Sequence, residues 1–281
     1  VDEMFIDDAV DFLEELPANV VKRVLQNSSY ERRNIINQFL RYPEGCAGSI
    51  MTIEYCEARA GQSVRQTMED IRRTAIDKET VYTVYVIDER RRLLGTVALR
   101  KLIMADDELP IDRLMEQNVI SVMTTDDQET VADTVRKYDL MSIPVVDKEN
   151  RLVGIITVDD IMDVIEEENT EDFEKMGGLV PSEDEYMKTS VVNLFKNRIV
   201  WLLILMVSAT FTGMIITRYE DVLNASAVGV VLMSCIPMLM DTGGNCGSQT
   251  SVLIIRGLAL GELGFSDLLQ ILWKELRVAL M

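Results

Sequence analysis

The chain has 281 residues, enough for two or more domains, and 48% of them are hydrophobic, a content that leans towards a membrane protein. Asp+Glu 47 over Lys+Arg 28 gives a net charge of −19, which disfavours nucleic acid as a partner because phosphate binding needs a basic surface. There is no His, and Cys46, Cys56, Cys235 and Cys246 have no CxxC spacing, so zinc sites and His-dependent triads lack raw material and no enzyme is expected.

Residues 1 to 46 read as short helices. VDFLEELPANVVKRVL and YERRNIINQFL place apolar residues at three- and four-residue spacing, with LPAN as a break between helices, the pattern of the end of a helical solenoid. The sequence opens at Val1 without a signal peptide and stops in RVALM inside a new apolar run, so a fragment cut at both ends is expected.

An internal repeat follows. YVIDERRRLLGTVALRKLI, from Tyr85, realigns 59 residues later with PVVDKENRLVGIITVDDIM, from Pro144, so that Val86-Ile87-Asp88 falls on Val145-Val146-Asp147. Each copy has an amphipathic helix, a β-branched run, a charged turn, a second run containing Gly, and a helix. This resembles a tandem pair of cystathionine-β-synthase (CBS) domains, small α/β regulatory modules, here at 47–110 and 111–168. The resemblance implies a cleft that in many relatives takes an adenine nucleotide through a Gly, a Ser/Thr and an Asp. The second copy keeps Gly154, Thr157 and Asp160, whereas the first has Gly95, Ala98 and Lys101 and loses both hydroxyl and carboxylate.

The repeat ends in DDIMDVIEEENTEDFE. Residues 159–174 carry nine carboxylates in sixteen positions and no base. On a helix Asp160, Asp163, Glu167 and Glu171 form one negative ridge of mutually repelling charges that nothing nearby in sequence neutralises. Hard divalent cations, which take oxygen ligands, would supply the missing charge. The alternative is a solvated face on a linker helix. Asp127, Glu129 and Asp139 from the second module and Asp7 and Asp11 from the first helices are further acids that could complete such sites. Residues 169–198 then form a connecting helix interrupted at Gly177-Gly178 and Pro181.

From about 199 the texture changes. Residues 199–217 and 222–240 are each 19 residues without a charge, close to the ~20 that a membrane-spanning helix needs. The expected spans are 199–217 and 222–255, with a third beginning near 270–281. Lys188, Lys196 and Arg198 precede the first span, only Arg218 lies between the two, and Arg256, Lys274 and Arg277 follow, which places the N-terminal part in the cytoplasm. Within the second run, DTGGNCGSQ sets Asp241, Asn245 and Gln249 at i, i+4 and i+8 of a helix. Gly243, Gly244, Gly247 and Ser251 occupy much of the other side, where small residues admit a neighbouring helix. A carboxylate there is a functional candidate because its burial is costly. The alternative is a span that ends at Met240 and a polar loop.

The order of parts, together with PMLMDTGGNCGSQTSVLIIRGLALGEL at 237–263, closely resembles the MgtE family of magnesium channels, over essentially the whole chain. The resemblance implies a multidomain α, α/β and membrane-α protein: the end of a helical N domain, a CBS pair, a connecting helix and part of a transmembrane domain. It further implies a homodimeric, multi-pass Mg²⁺ pathway in the lipid bilayer of the plasma membrane, shut by cytoplasmic domains that bind Mg²⁺. The ligands would be Asp7, Asp11, Asp127, Glu129, Asp139, Asp160, Asp163, Glu168, Glu171 and Asp172. The pore surface would fall on 241–249, with a further pore carboxylate on a membrane helix beyond this sequence. ATP is weighed as a second ligand at Gly154, Thr157 and Asp160. A competing reading is a membrane-anchored CBS sensor that binds a nucleotide or ion and regulates a partner without conducting. It predicts no polar stripe in the membrane and an intact first cleft.

Overall fold

Repeated apolar positions in the N-terminal three fifths of the chain fold as one compact unit, Val1–Glu166, and the long apolar runs form a second, Glu167–Met281. The structure is a computed structural model, and it describes residues 4–14, 16–182, 186–187, 189–221 and 228–281.

The first unit opens with three helices, α1 (Ile6–Glu14), α2 (Ala18–Asn27) and α3 (Tyr30–Phe39). The break expected at LPAN falls between α1 and α2, where Pro17 takes the N-cap position of α2 in an extended conformation. α3 starts at Ser29, whose hydroxyl accepts the Arg32 N–H at 3.3 Å, the usual way to satisfy an orphan amide of the first turn. Ile6, Val10 and Leu13 line one face of α1 and are buried together with Ile36 and Phe39 of α3.

Two modules follow, each β-α-β-β-α. The first comprises β1 (Tyr55–Arg59), α4 (Val64–Thr74), β2 (Thr80–Ile87), β3 (Leu93–Ala98) and α5 (Leu99–Met104). The second comprises β4 (Val122–Met123), α6 (Gln128–Tyr138), β5 (Ser142–Val146), β6 (Leu152–Thr157) and α7 (Val158–Met176). Each sheet runs in sequence order, with the first strand parallel to the second and the second antiparallel to the third. The 59-residue repeat is reproduced in the register itself. Val86 faces Gly95 as Val145 faces Gly154, and a register shift follows each pair. The hairpin turns match too, since Arg91 and Asn150, 59 positions apart, both adopt positive φ, 62° and 60°.

The modules interleave. Leu93 N–H donates to Asn150 O at 3.0 Å and Leu152 N–H to Arg91 O at 2.9 Å, a reciprocal pair that joins the two hairpins. Thr52, ahead of β1, pairs with Ile155 of the second module, and Glu116, ahead of β4, pairs with Thr96 of the first. A shared apolar cluster of Tyr55, Tyr85, Ile87, Leu93, Val146, Leu152 and Ile155 seals the junction. Fully burying an aliphatic side chain of this kind contributes roughly 1.5–3 kcal/mol. The core of the second module also takes in Ile6, Val10, Leu13, Ile36 and Phe39, so the N-terminal helices pack on that module. This contact brings α1 up to the start of α7.

In the second unit α7 ends in a turn at Gly178, whose φ is +68° and whose added Cβ would lie 2.7 Å from the Trp201 ring. Val180 N–H donates to Asn197 O at 3.0 Å, so the linker folds back on α8 (Val191–Arg218). α9 (Gly229–Ala259) and α10 (Leu268–Leu280) complete it. Among the described residues one helix, α8, is long and apolar enough to cross a membrane by length and composition. Of the second expected span, 222–255, residues 229–255 lie in the continuous helix α9, whose polar 241–249 stretch lowers its hydropathy so that it is not counted with α8, and residues 222–227 lie outside those described. The third run forms α10, which carries Lys274, Glu275 and Arg277.

Candidate functional site

Packing of α1 on the second module gathers carboxylates from three separate parts of the chain. Asp7, in the first turn of α1, is only 5% exposed, and the Asp8 N–H donates to its Oδ1 at 2.9 Å. Burial raises its pKa from 3.8 to about 7, against the pull of the Asp8 amide, and the charges of Asp160, Glu79 and Asp8 push the same way. Glu79, just before β2, is likewise raised to about 7, first by burial and then by Asp159, Asp160, Asp8 and Glu54. Its Oε2 is buried without a hydrogen-bond partner. Asp160 sits in the first turn of α7, where its Oδ2 accepts from the Thr157 hydroxyl at 2.6 Å and the Thr157 N–H at 3.3 Å. Burial raises its pKa as well, opposed by the Thr157 bonds and reinforced by Asp159 and Asp8.

Of the acids singled out in the sequence, Asp7 and Asp160 are therefore brought together. Asp8, Glu54, Glu79 and Asp159 join them, and of these only Asp159 lies in the acidic run read from the sequence. Among the described residues no three His, Cys, Asp or Glu side chains stand close enough to enclose a metal ion directly. That does not exclude Mg²⁺ chemistry, because Mg²⁺ usually keeps several waters and is held by one or two carboxylates. The donor set, hard oxygens with one buried and unpartnered, suits such an ion.

The other candidates are dispersed. Asp127 is the N-cap of α6, Glu129 lies in its first turn and Asp139 is its left-handed C-cap, φ 51°. An eleven-residue helix is about 17 Å long, so Asp127 and Asp139 of one chain do not share an ion. Asp11 and Asp163 are exposed on α1 and α7. Glu168, Glu171 and Asp172 belong to the second unit and are half-buried. There the expectation that nothing nearby in sequence neutralises the ridge is corrected at one position, since Lys175, one residue past the run, pairs with Glu171 at i+4; beside the ridge, Arg256 from far along the chain pairs with Asp172 at 3.5 Å.

At the nucleotide-type clefts, an added Cβ at Gly154 would lie 2.7 Å from Thr52 O, and the Asp160 carboxylate is held by the Thr157 hydroxyl with the charges of Asp159 and Asp8 acting on it. In the first cleft the equivalent Lys101 pairs with Glu116 at 2.5 Å.

On α9 the polar stretch is helical throughout, so the loop alternative does not hold for it. Asp241, Asn245 and Gln249 share a face, with Asn245 Nδ2 donating to Asp241 Oδ2 at 3.4 Å. A Cβ on Gly243, Gly244 or Gly247 would meet nothing within 4 Å.

A CBS pair bearing several carboxylates, followed along the chain by an acidic helix and by α8, which is long and apolar enough to cross a membrane, is the build of a membrane protein with a separately folded N-terminal unit. Family models for the MgtE intracellular N domain, the CBS domain and the MgtE divalent cation transporter match residues 1–45, 111–167 and 236–281. Over 246 residues the sequence is 41% identical to a magnesium transporter MgtE from Thermus thermophilus, covering 88% of this chain and 54% of that one. Over 251 residues it is 34% identical to the magnesium transporter MgtE of Enterococcus faecalis, covering 89% and 54%. The cytosolic domain of the Mg²⁺ channel MgtE, solved in complex with ATP, superposes with a TM-score of 0.56 at 42% identity, covering 58% of this chain and 66% of that one. The chain belongs to the MgtE family. It spans about half the length of these curated relatives, which are named as transporters rather than enzymes.

Proposed function

We propose that this chain is the sensing and first membrane portion of a homodimeric Mg²⁺ transporter of the plasma membrane, with its N-terminal unit in the cytoplasm, and that cytoplasmic Mg²⁺ closes the pathway. The observation that carries the reading is that Asp7 of the N-terminal helices, Glu79 of the first module and Asp160 of the second are drawn near enough for their charges to raise the pKa values of Asp7 and Glu79 beyond the effect of burial. Two carboxylates ~4 Å apart repel by about 1 kcal/mol in water and several-fold more where water is partly excluded. Such an interface holds by keeping protons or by sharing a cation. Asp7, Glu79 and Asp160 would hold the ion through carboxylate oxygens and water, and the ion would supply positive charge that protons supply less well near neutral pH. Because a ligand shifts an equilibrium only through differential affinity, these residues must bind Mg²⁺ more tightly in the packed arrangement than when α1 is released.

Asp11, Asp127, Glu129, Asp139, Asp163, Glu168, Glu171 and Asp172 extend the acidic surface to the linker and to a second copy of the chain, where acids of one chain too far apart to share an ion would meet acids of the other. Asp241, Asn245 and Gln249 offer a charge and two neutral oxygens to a hydrated cation. The ATP complex of a relative's cytosolic domain makes a nucleotide a second candidate ligand. The crowding of carboxylates about Asp160 repels phosphate and favours the cation at that position.

The test is the complete protein in proteoliposomes, with Mg²⁺ varied from zero to ~20 mM on the side of the N-terminal unit, a range set by weak divalent sites. Flux should fall and protease resistance of the first unit should rise together as Mg²⁺ increases. Flux and digestion both indifferent to Mg²⁺ would refute the reading.

A further inference from the structure

We propose that Arg256 is a tethered counter-cation that competes with the regulatory divalent ion for Asp172 and so sets the Mg²⁺ concentration at which the linker helix responds. This rests on the Mg²⁺ reading above. The guanidinium Nη1 lies 3.5 Å from Asp172 Oδ2 and 3.3 Å from Asn169 Oδ1. The two acceptors are three residues apart and so fall on the same side of α7. Asp172 is the more enclosed partner, with its side chain 20% exposed against 46% for Arg256.

Arg256 is held where it can do this. It is the charge that ends the apolar TSVLIIRG run, and α9 stops just beyond it in a fixed turn. There Leu260 N–H donates to Arg256 O at 3.0 Å, and Glu262 and Leu263 N–H both donate to Gly257 O at 2.9 Å. A Cβ at Gly257 would lie 2.6 Å from Leu263 Cδ1, so the chain turns back tightly against the helix end. Arginine keeps its charge at every accessible pH, so the competition does not fade as pH changes. Any divalent ion that uses the Asp172 carboxylate meets the repulsion of this guanidinium and competes with it for Oδ2. Conversely, an occupied Asp172 releases Arg256 and with it the end of the helix that carries Asp241, Asn245 and Gln249. The coupling is reciprocal: whatever Arg256 takes from Mg²⁺ affinity, bound Mg²⁺ takes from the hold of α7 on α9.

Exposed ion pairs of this geometry shift an equilibrium by about two- to fivefold. The complete protein in proteoliposomes tests it, read both by Mg²⁺ flux and by protease nicking of the linker. Arg256→Gln should lower the Mg²⁺ midpoint of both readouts by about two- to fivefold, Arg256→Lys should leave it near that of the parent protein, and Arg256→Gln should add nothing in an Asp172→Asn background. Asn169→Ala removes the second acceptor while sparing every carboxylate. It should lower the midpoint by a smaller factor and serves if Arg256→Gln does not reach the membrane. Unchanged midpoints in Arg256→Gln and Asn169→Ala, or the same shift whether or not Asp172 is present, would overturn the role of Arg256. A parent protein that ignores Mg²⁺ altogether would instead sink the sensing reading on which it stands.

Discussion

Asp7 and Glu79 hold protons in a pH range where ordinary carboxylates have lost them, first because burial penalises their charged forms and then because the charges of neighbouring acids push the same way. The folded protein therefore binds protons between about pH 4 and about pH 7 that the unfolded chain releases. Stability then falls as pH rises through that window and is flat above it. Metal-free protein should accordingly melt at lower temperature at pH 7.5 than at pH 5, at constant ionic strength, and Asp7→Asn should flatten part of that slope. A melting temperature that rises over this interval in the parent protein would show that the cluster is more hydrated than its burial implies. Only part of this site is legible in the sequence. Asp7 and Asp160 stand out there, Asp160 from the acidic ridge and both by family resemblance. Glu79 does not, because it follows Lys78 in a short turn with no acidic run to mark it. It matters only once the fold brings it within reach of the charges of Asp159 and Asp160.

Among the elements, the CBS repeat was the most readable feature because a 59-residue period in sequence becomes the same strand register twice. What the period does not carry is the exchange of segments between modules. Met51-Thr52 and Met115-Glu116 have no special composition, yet each lies against the glycine of the other module's last strand. An added Cβ at Gly154 would lie 2.7 Å from Thr52 O and one at Gly95 would lie 2.9 Å from Glu116 O. Gly95→Ala and Gly154→Ala should each destabilise the unit by about 1–3 kcal/mol, the usual cost of overpacking, with unchanged urea m-values as the check that two-state unfolding persists. A loss under about 0.5 kcal/mol, the range of neutral surface changes, would mean that the crossing segment moves aside freely. Acidic pairing was also only half visible: Lys175 lies next to the run, but Arg256 is 84 residues from Asp172 in sequence and meets it only through the fold of the second unit.

At the scale of the whole molecule, a sensing unit has to act on an ion path, and the path is tested by itself at Asp241. A divalent cation ~5 Å from a carboxylate gains about 1.7 kcal/mol even at the dielectric constant of water, which is more than tenfold in occupancy. Asp241→Asn keeps the shape and, given the Asn245 contact at 3.4 Å, the capacity to accept its hydrogen bond, but it removes the charge. Flux through the complete protein should fall by about tenfold on that arithmetic. Mg²⁺ protection of the first unit should stay as it was, since Asp241 belongs to the second unit. Asp241→Leu separates an ion path from a helix face that merely tolerates a polar residue. Lipid accepts leucine better than aspartate, so a lipid-facing position would gain stability and lose no transport. A position on a wet path would lose transport at least as severely as the Asn variant, because an apolar side chain offers a hydrated ion neither charge nor hydrogen bond. Normal Mg²⁺ transport by Asp241→Leu would leave Asp241, Asn245 and Gln249 as the polar face of a helix and move the ion path elsewhere.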